Sequence, residues 1–122
     1  MKKILIVEDE LDLLTILKQR LEHHHYEVLE ASDGEEGLKK IEEGKPDLII
    51  LDIKMPKLDG YTFIKEMRTK KENAKIPVIV LTAHANLDSL FKVEGVTAYF
   101  TKPYETEKIL AAIEKALSPV AK

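Results

Sequence analysis

Three short segments of the chain are apolar at every position, which is typical of strands buried on both faces of a parallel sheet. These segments are residues 4–7, 48–51 and 78–81. Two more, residues 26–30 and 97–100, mix polar with apolar side chains, as expected of strands nearer the edges of a sheet. The hydrophobic pattern therefore predicts five strands.

Amphipathic segments with helical spacing follow these strands. Their apolar positions form five groups, which are Leu14, Leu17 and Leu21; Leu38 and Ile41; Gly60, Phe63, Ile64 and Met67; Leu87, Leu90 and Phe91; and Ile109, Leu110, Ile113, Ala116 and Leu117. We interpret Ser32, Asp33, Gly34 and Glu35 as a capping box that opens the second helix, which should stop at Gly44. Pro119 disfavours continuation of the fifth helix.

Five strands that alternate with five helices predict an open α/β fold with right-handed crossovers. In such folds, ligands bind beyond the carboxyl ends of the strands, where the strand order switches. The residues at these ends are Glu8, Asp9 and Glu10 after the first strand, Asp52 after the third, Thr82 after the fourth, and Thr101, Lys102 and Pro103 after the fifth. A polar residue after a single strand is usually a turn former. Four strands that deliver complementary groups to one edge predict a functional site.

Composition narrows the class of protein. The 122 residues, 44% hydrophobic and 34% charged, fit one globular domain over residues 1–122, and we expect no linker and no output domain. The net charge of −3 argues against nucleic-acid contact. The absence of cysteine excludes disulfides and thiolate metal sites. No apolar run is long enough for a signal peptide or a membrane span, so we expect a cytoplasmic protein.

The clustered acids favour a bound cation, because two carboxylates about 4 Å apart repel by roughly 4 kcal/mol at an effective dielectric of about 20. Oxygen ligands of this kind suit Mg²⁺, whereas the absence of cysteine and of histidine at these strand ends disfavours zinc. An aspartate beside a lysine can also attack phosphorus to form an aspartyl phosphate. Mg²⁺ and Lys102 could neutralise the phosphoryl oxygens, and Thr82 could donate a hydrogen bond to one of them.

The same residues resemble a known family over essentially the whole chain. Its motifs are matched by Glu8 and Asp9, by residues 51–56 with Asp59 and Gly60, by Thr82 and Ala83, and by Lys102 and Pro103. Together they resemble the receiver domain of two-component response regulators, of the CheY-like superfamily. The resemblance implies a doubly wound (βα)5 fold of flavodoxin type, a three-layer sandwich whose five-stranded parallel sheet has the order 2-1-3-4-5.

The resemblance also implies the function and the site. Asp52 would accept a phosphoryl group from a sensor histidine kinase or a histidine phosphotransfer protein. Asp9 would bind Mg²⁺ (or Mn²⁺) directly, Glu8 would act through water, and the backbone carbonyl of Lys54 would complete the protein ligands. Lys102 would bind the phosphoryl group.

Further positions follow from the same resemblance. Thr82 would be the switch hydroxyl, and Tyr99 falls where the family keeps an aromatic residue that swings inward when the threonine moves. Lys54 and His84 resemble positions that tune the lifetime of the phosphoryl group. The segment between Thr82 and Lys102 is shorter than usual, which leaves open the signalling face of the fourth helix, fifth strand and fifth helix. The downstream protein target and the choice between monomer and weak dimer are open with it.

Three functions stay open at this point. A phosphoacceptor switch, free-standing or detached from a larger regulator or hybrid kinase, would catalyse only its own phosphorylation and dephosphorylation. A phosphatase of the haloacid dehalogenase type would need a second aspartate where this chain has Lys54. A phosphate-independent interaction module would not need Asp9, Asp52, Thr82 and Lys102 together. We interpret the run of His23, His24 and His25 as a solvated helix end, because consecutive helical residues do not share a face.

Overall fold

Strands and helices alternate along the chain in a computed structural model that describes residues 1–52, 60–70, 73, 75–82, 97–101 and 105–117. The elements are β1 (Lys3–Val7), α1 (Leu11–His23), β2 (Glu27–Ala31), α2 (Gly34–Gly44), β3 (Leu48–Asp52), α3 (Gly60–Arg68), β4 (Val78–Thr82), β5 (Ala98–Thr101) and α4 (Thr106–Leu117). The helix α4 is the one predicted as the fifth. The helix predicted around Leu87, Leu90 and Phe91 lies outside the described residues, as does Pro119.

The five strands form one parallel sheet of order β2-β1-β3-β4-β5, which confirms the predicted topology. Leu5 of β1 lies opposite Leu29 on one side and Ile49 on the other. The register continues from Ile50 to Ile79. The strand order reverses between β1 and β3, so the carboxyl ends of these two strands meet at the switch point where ligands bind in such folds.

Alternate residues of the central strands pack against helices on opposite faces of the sheet, which gives the predicted three layers. One face is buried with α2 and α3, and its core comprises Leu5, Val7, Ala31, Ile41, Ile49, Leu51, Phe63, Ile64, Met67, Val78 and Val80. The other face is buried with α1 and α4, and its core comprises Ile4, Ile6, Leu14, Leu17, Leu21, Leu48, Ile50, Ile79, Leu81, Ile109 and Ile113. Burial of each such side chain stabilises the fold by about 1.5–3 kcal/mol.

The start of α2 corrects the predicted capping box by one residue. Asp33, in place of Ser32, is the capping residue, and its Oδ1 accepts the backbone N–H of Glu36 at 2.9 Å. Glu36, in place of Glu35, reaches back, and its Oε1 accepts the N–H and the hydroxyl of Ser32 at 2.8 and 2.9 Å. The later register prevails because the Asp33 carboxylate is the side chain that reaches the helix amide, which leaves Ser32 free to bond Glu36.

The helix α2 ends at Gly44, as predicted, although the left-handed residue after it is Lys45, with φ of 50°. Gly44 also packs closely against β2, because a Cβ atom there would meet Cδ1 of Leu29 and would have to displace the end of that side chain. None of the helices that the structure describes has both the length and the apolarity to cross a membrane.

Candidate metal centre at the sheet edge

Three carboxylates converge where β1 and β3 end side by side. Val7 lies opposite Leu51 in the register, so the residues that follow them, Glu8 and Asp52, emerge at the same edge. One oxygen from each of Glu8, Asp9 and Asp52 lies within 4.8 Å of the others. The tertiary structure thus brings together the three acids that the sequence predicts as metal ligands.

The three acids differ in their exposure to solvent. The exposed fractions of Glu8 and Asp52 are 1% and 2%, whereas Asp9 is exposed. Burial of a charged carboxylate is unfavourable unless a charge or a hydrogen bond compensates it. The cluster therefore has a buried floor formed by Glu8 and Asp52, and it is open to solvent on the side of Asp9.

Glu8 is held at both its backbone and its side chain. Its N–H donates to the carbonyl of Ala31 at 2.9 Å, which extends the pairing of β1 with β2 by one residue. Its Oε2 accepts the N–H of Glu10 at 3.2 Å. Glu10 is the residue before α1, and its carbonyl accepts the N–H of Leu14 at 3.0 Å. Sequence reasoning assigned Glu10 no role, although an acid can accept the backbone N–H two residues later, which is the spacing of Glu8 and Glu10.

The cluster fits a hard divalent cation such as Mg²⁺, because all three donors are carboxylate oxygens and the sequence contains no cysteine. The potential metal ligands grouped within the described ranges include no histidine. His23, at the end of α1, stacks edge-on against His24 with ring centroids 5.7 Å apart. These rings precede β2, whereas the acids follow strand ends, so they lie at the opposite end of the sheet.

The remaining predicted site residues are described in part or not at all. Thr82 is the last residue of β4, directly after Leu81, which lies opposite Asp52. Tyr99 lies in β5 opposite Val80. Lys54, His84 and Lys102 lie outside the described residues, as do Asp59 and Pro103.

A flavodoxin-like sheet of this order, with an acidic cluster at its carboxyl edge, is the architecture of CheY-like domains. The chain belongs to the response regulator receiver domain family, whose family model matches residues 4–114. Members of this family are phosphoacceptors rather than classical enzymes. The family resemblance inferred from the sequence motifs is therefore confirmed.

Relatives of known identity cover most of the chain. It is 43% identical over 118 residues to the alkaline phosphatase synthesis transcriptional regulatory protein PhoP of Bacillus subtilis, covering 95% of this chain and 48% of PhoP. It is 34% identical to sporulation initiation phosphotransferase F of the same species, covering 95% of this chain and 94% of that protein. The chain spans about half the length of most curated relatives that it matches.

Solved structures agree with this assignment. The response regulator TrrA of Thermotoga maritima, crystallised in complex with Mg²⁺ and BeF, superimposes with a TM-score of 0.86 at 36% identity. The superposition covers 96% of this chain and all of TrrA (100%).

Proposed function

We propose that this receiver domain is a phosphoacceptor switch that takes a phosphoryl group onto Asp52 from a sensor histidine kinase or a histidine phosphotransfer protein. The observation that carries the proposal is the position of Asp52, which is buried at the end of β3 and within 4.8 Å of the carboxylates of Glu8 and Asp9. An acid with no role beyond capping a turn would have no reason to be buried beside two others.

In the proposed reaction, a carboxylate oxygen of Asp52 forms a bond to phosphorus while the bond from phosphorus to the donor histidine nitrogen breaks. Asp9 and Asp52 would hold Mg²⁺ directly, Glu8 would hold it through water, and the carbonyl of Lys54 would complete the set. When bound, the ion would neutralise charge on the carboxylates and the phosphoryl oxygens. Lys102 and Thr82 would bind those oxygens, which leaves the transferred group fixed for in-line attack.

The names of two relatives support this chemistry. Sporulation initiation phosphotransferase F matches this chain over almost its full length, and TrrA was crystallised with Mg²⁺ and BeF. We infer that the protein acts in the cytoplasm as a monomer or weak dimer, and that it signals to a protein target without contacting nucleic acid or membrane itself. Phosphorylation would change the face that includes β5 and α4, through Thr82 and Tyr99.

The test is incubation with Mg²⁺ and acetyl phosphate or phosphoramidate, followed by mass spectrometry. We expect a labile mass gain of one phosphoryl group that disappears in Asp52→Asn. The matched control is Asp47→Asn, the same change at the opposite end of β3, which should leave the gain intact. Steady release of phosphate would instead support a phosphatase, and no gain in the unmodified chain would leave a passive interaction module.

Two further residues would set the lifetime of the phosphoryl group. Lys54 and His84 lie two residues after Asp52 and Thr82 in sequence, where a side chain can admit or block the attacking water. We expect Lys54→Ala and His84→Ala to change the rate of autodephosphorylation, measured as decay of the phosphorylated species. Unchanged decay in both variants would contradict this role.

A further inference from the structure

An open groove runs between α1 and α4, which lie on the same face of the sheet. Its volume is about 490 Å³, and none of its described lining residues belongs to the acidic cluster. Arg20 and His24 line it from α1, about one helical turn apart. The residues that line it from α4 share one stripe of that helix, which comprises Glu107, Leu110, Ala111 and Glu114. The groove therefore has a basic wall, formed by Arg20 and His24, and an acidic wall, formed by Glu107 and Glu114, with apolar side chains between the two acids.

The charges of the two walls are only weakly paired within one chain. Nη1 of Arg20 lies 3.9 Å from Oε2 of Glu107, and the two side chains are 51% and 78% exposed. An ion pair that is this long and this exposed contributes little to stability. A guanidinium group carries five N–H donors, so Arg20 can bind a second carboxylate as well. Both side chains are therefore available to a partner outside the chain.

The negative charge of the acidic wall extends along the groove beyond Glu107. Burial, and after it the negative charge of Glu114, raises the pKa of Tyr26, which also lines the groove. Glu114 thus lies close enough to Tyr26 to act on its hydroxyl group. The acidic wall consequently presents two carboxylates along α4, opposite the basic side chains of α1.

A two-fold axis along the groove matches these walls to each other. The helices α1 and α4 each follow a strand of the parallel sheet and pack on the same face, so they run in the same direction. Rotation about an axis parallel to both helices places α1 of one copy against α4 of another without changing its level. Since Arg20 and Glu107 lie level with each other within one chain, Arg20 of each copy then faces Glu107 of the other. A self-complementary surface of this kind is what an isologous interface requires.

We propose that the groove between α1 and α4 is a contact between two copies of this chain, in which the basic wall of each copy lies against the acidic wall of the other. The contact is weak and reversible, because it consists of exposed charges around a small apolar strip. It decides between the monomer and the weak dimer that the proposed function leaves open. It does not depend on phosphoryl transfer to Asp52.

A charge swap across the two walls tests the contact. Sedimentation equilibrium of the full chain over a range of concentrations measures self-association. Arg20→Glu and Glu107→Arg should each weaken self-association at least about tenfold, because the symmetry places like charges together at two contacts. The double variant that carries both changes should restore it, because the two walls are then exchanged.

The matched control is Lys108→Glu, which changes the net charge as Arg20→Glu does. Lys108 is an exposed residue of α4 that does not line the groove, so this change should leave self-association as it is in the unmodified chain. A loss in Lys108→Glu as large as that in Arg20→Glu would overturn the inference, as would a double variant no better than the single ones.

Nuclear magnetic resonance of the unmodified chain locates the contact without any substitution. The amide signals of residues 20–24 and 107–114 should shift as the chain concentration rises. Shifts confined to other parts of the chain would overturn the inference. A chain that stays monomeric at every concentration would also overturn it and would leave the groove to a partner of another kind. The mass gain at Asp52 is measured separately, so the proposed function can stand where this inference fails.

Discussion

The two ends of the central strands hold acids in opposite electrostatic settings. At the amino end of β3, Asp47 accepts the backbone N–H of Lys3 at 2.8 Å and donates its own N–H to the carbonyl of Lys3 at 2.8 Å. The ammonium of Lys3 donates to the carbonyl of Gly44 at 2.9 Å. Each polar group there is matched by a neighbour of complementary character.

At the carboxyl end, Asp52 lies beside two more acids, Glu8 and Asp9. Like charges at this distance oppose folding, and the arrangement persists because the buried strands of the sheet position these residues. The same five-residue strand is therefore preceded by a stabilising acid and ends in a reactive one. An acid at a strand end therefore contributes to stability or to function according to the charges and hydrogen-bonding groups that lie beside it.

The largest expected effect is stabilisation of the protein by Mg²⁺ bound at the carboxyl ends of β1 and β3. At a concentration of about 100 times Kd, the ion should raise the free energy of unfolding by about 2.7 kcal/mol, because it binds the folded state alone. Urea unfolding with and without MgCl₂ measures this difference. Asp9→Asn should lose most of the increment, whereas Asp47→Asn should keep it. An equal increase in the free energy of unfolding for Asp9→Asn would show that the metal does not bind at this edge of the sheet.

A smaller effect is expected from neutralising one acid at each end of β3 in Mg²⁺-free buffer. Asp52→Asn should raise the free energy of unfolding by about 1–2 kcal/mol, because it relieves repulsion that solvent around Asp9 partly screens. Asp47→Asn should lower it by about 1 kcal/mol, because a charge-assisted hydrogen bond becomes a neutral one. Urea unfolding measures both free energies. Changes of the same sign in the two variants would contradict the contrast between the two ends of β3.

The smallest effect concerns Glu36, an acid near the carboxyl edge of the sheet whose carboxylate accepts two hydrogen bonds from Ser32. The backbone N–H and the hydroxyl of Ser32 lower the pKa of Glu36 below its usual value of 4.5. A lowered folded-state pKa contributes stability that is present above pH 4.5 and is lost as the pH falls through the folded-state value. In Glu36→Gln, the melting temperature should therefore fall slightly less steeply between neutral pH and about pH 3. An unaltered dependence of the melting temperature on pH would contradict the lowered pKa of Glu36.

The sheet could be predicted because its central strands are unusual in sequence. The three all-apolar segments can be buried on both faces, and this property alone indicates a parallel sheet between helices. The structure places them in β1, β3 and β4, with bounds that differ from prediction by one residue at most. The edge strand β2 was predicted one residue too early, because its mixed pattern specifies the register weakly.

The acids of the site were also predictable, since residues that follow strands in an α/β fold share one edge. Their hydrogen bonds were not. Either Ser32 or Asp33 can cap α2, and only the path of the chain out of β2 decides that the Asp33 carboxylate reaches the amide of Glu36. The bond from Glu10 to Glu8 depends likewise on the angle at which α1 leaves β1.

The sequence by itself determined which residues meet at the functional edge, because hydrophobic periodicity sets the strands and strand ends set their neighbours. The tertiary structure decided the environment of each residue. It buries Glu8 and Asp52, leaves Asp9 exposed, and joins one oxygen of Glu8 to the amide of Glu10. Burial and hydrogen bonding arise from packing between elements distant along the chain, so a linear pattern carries no record of them.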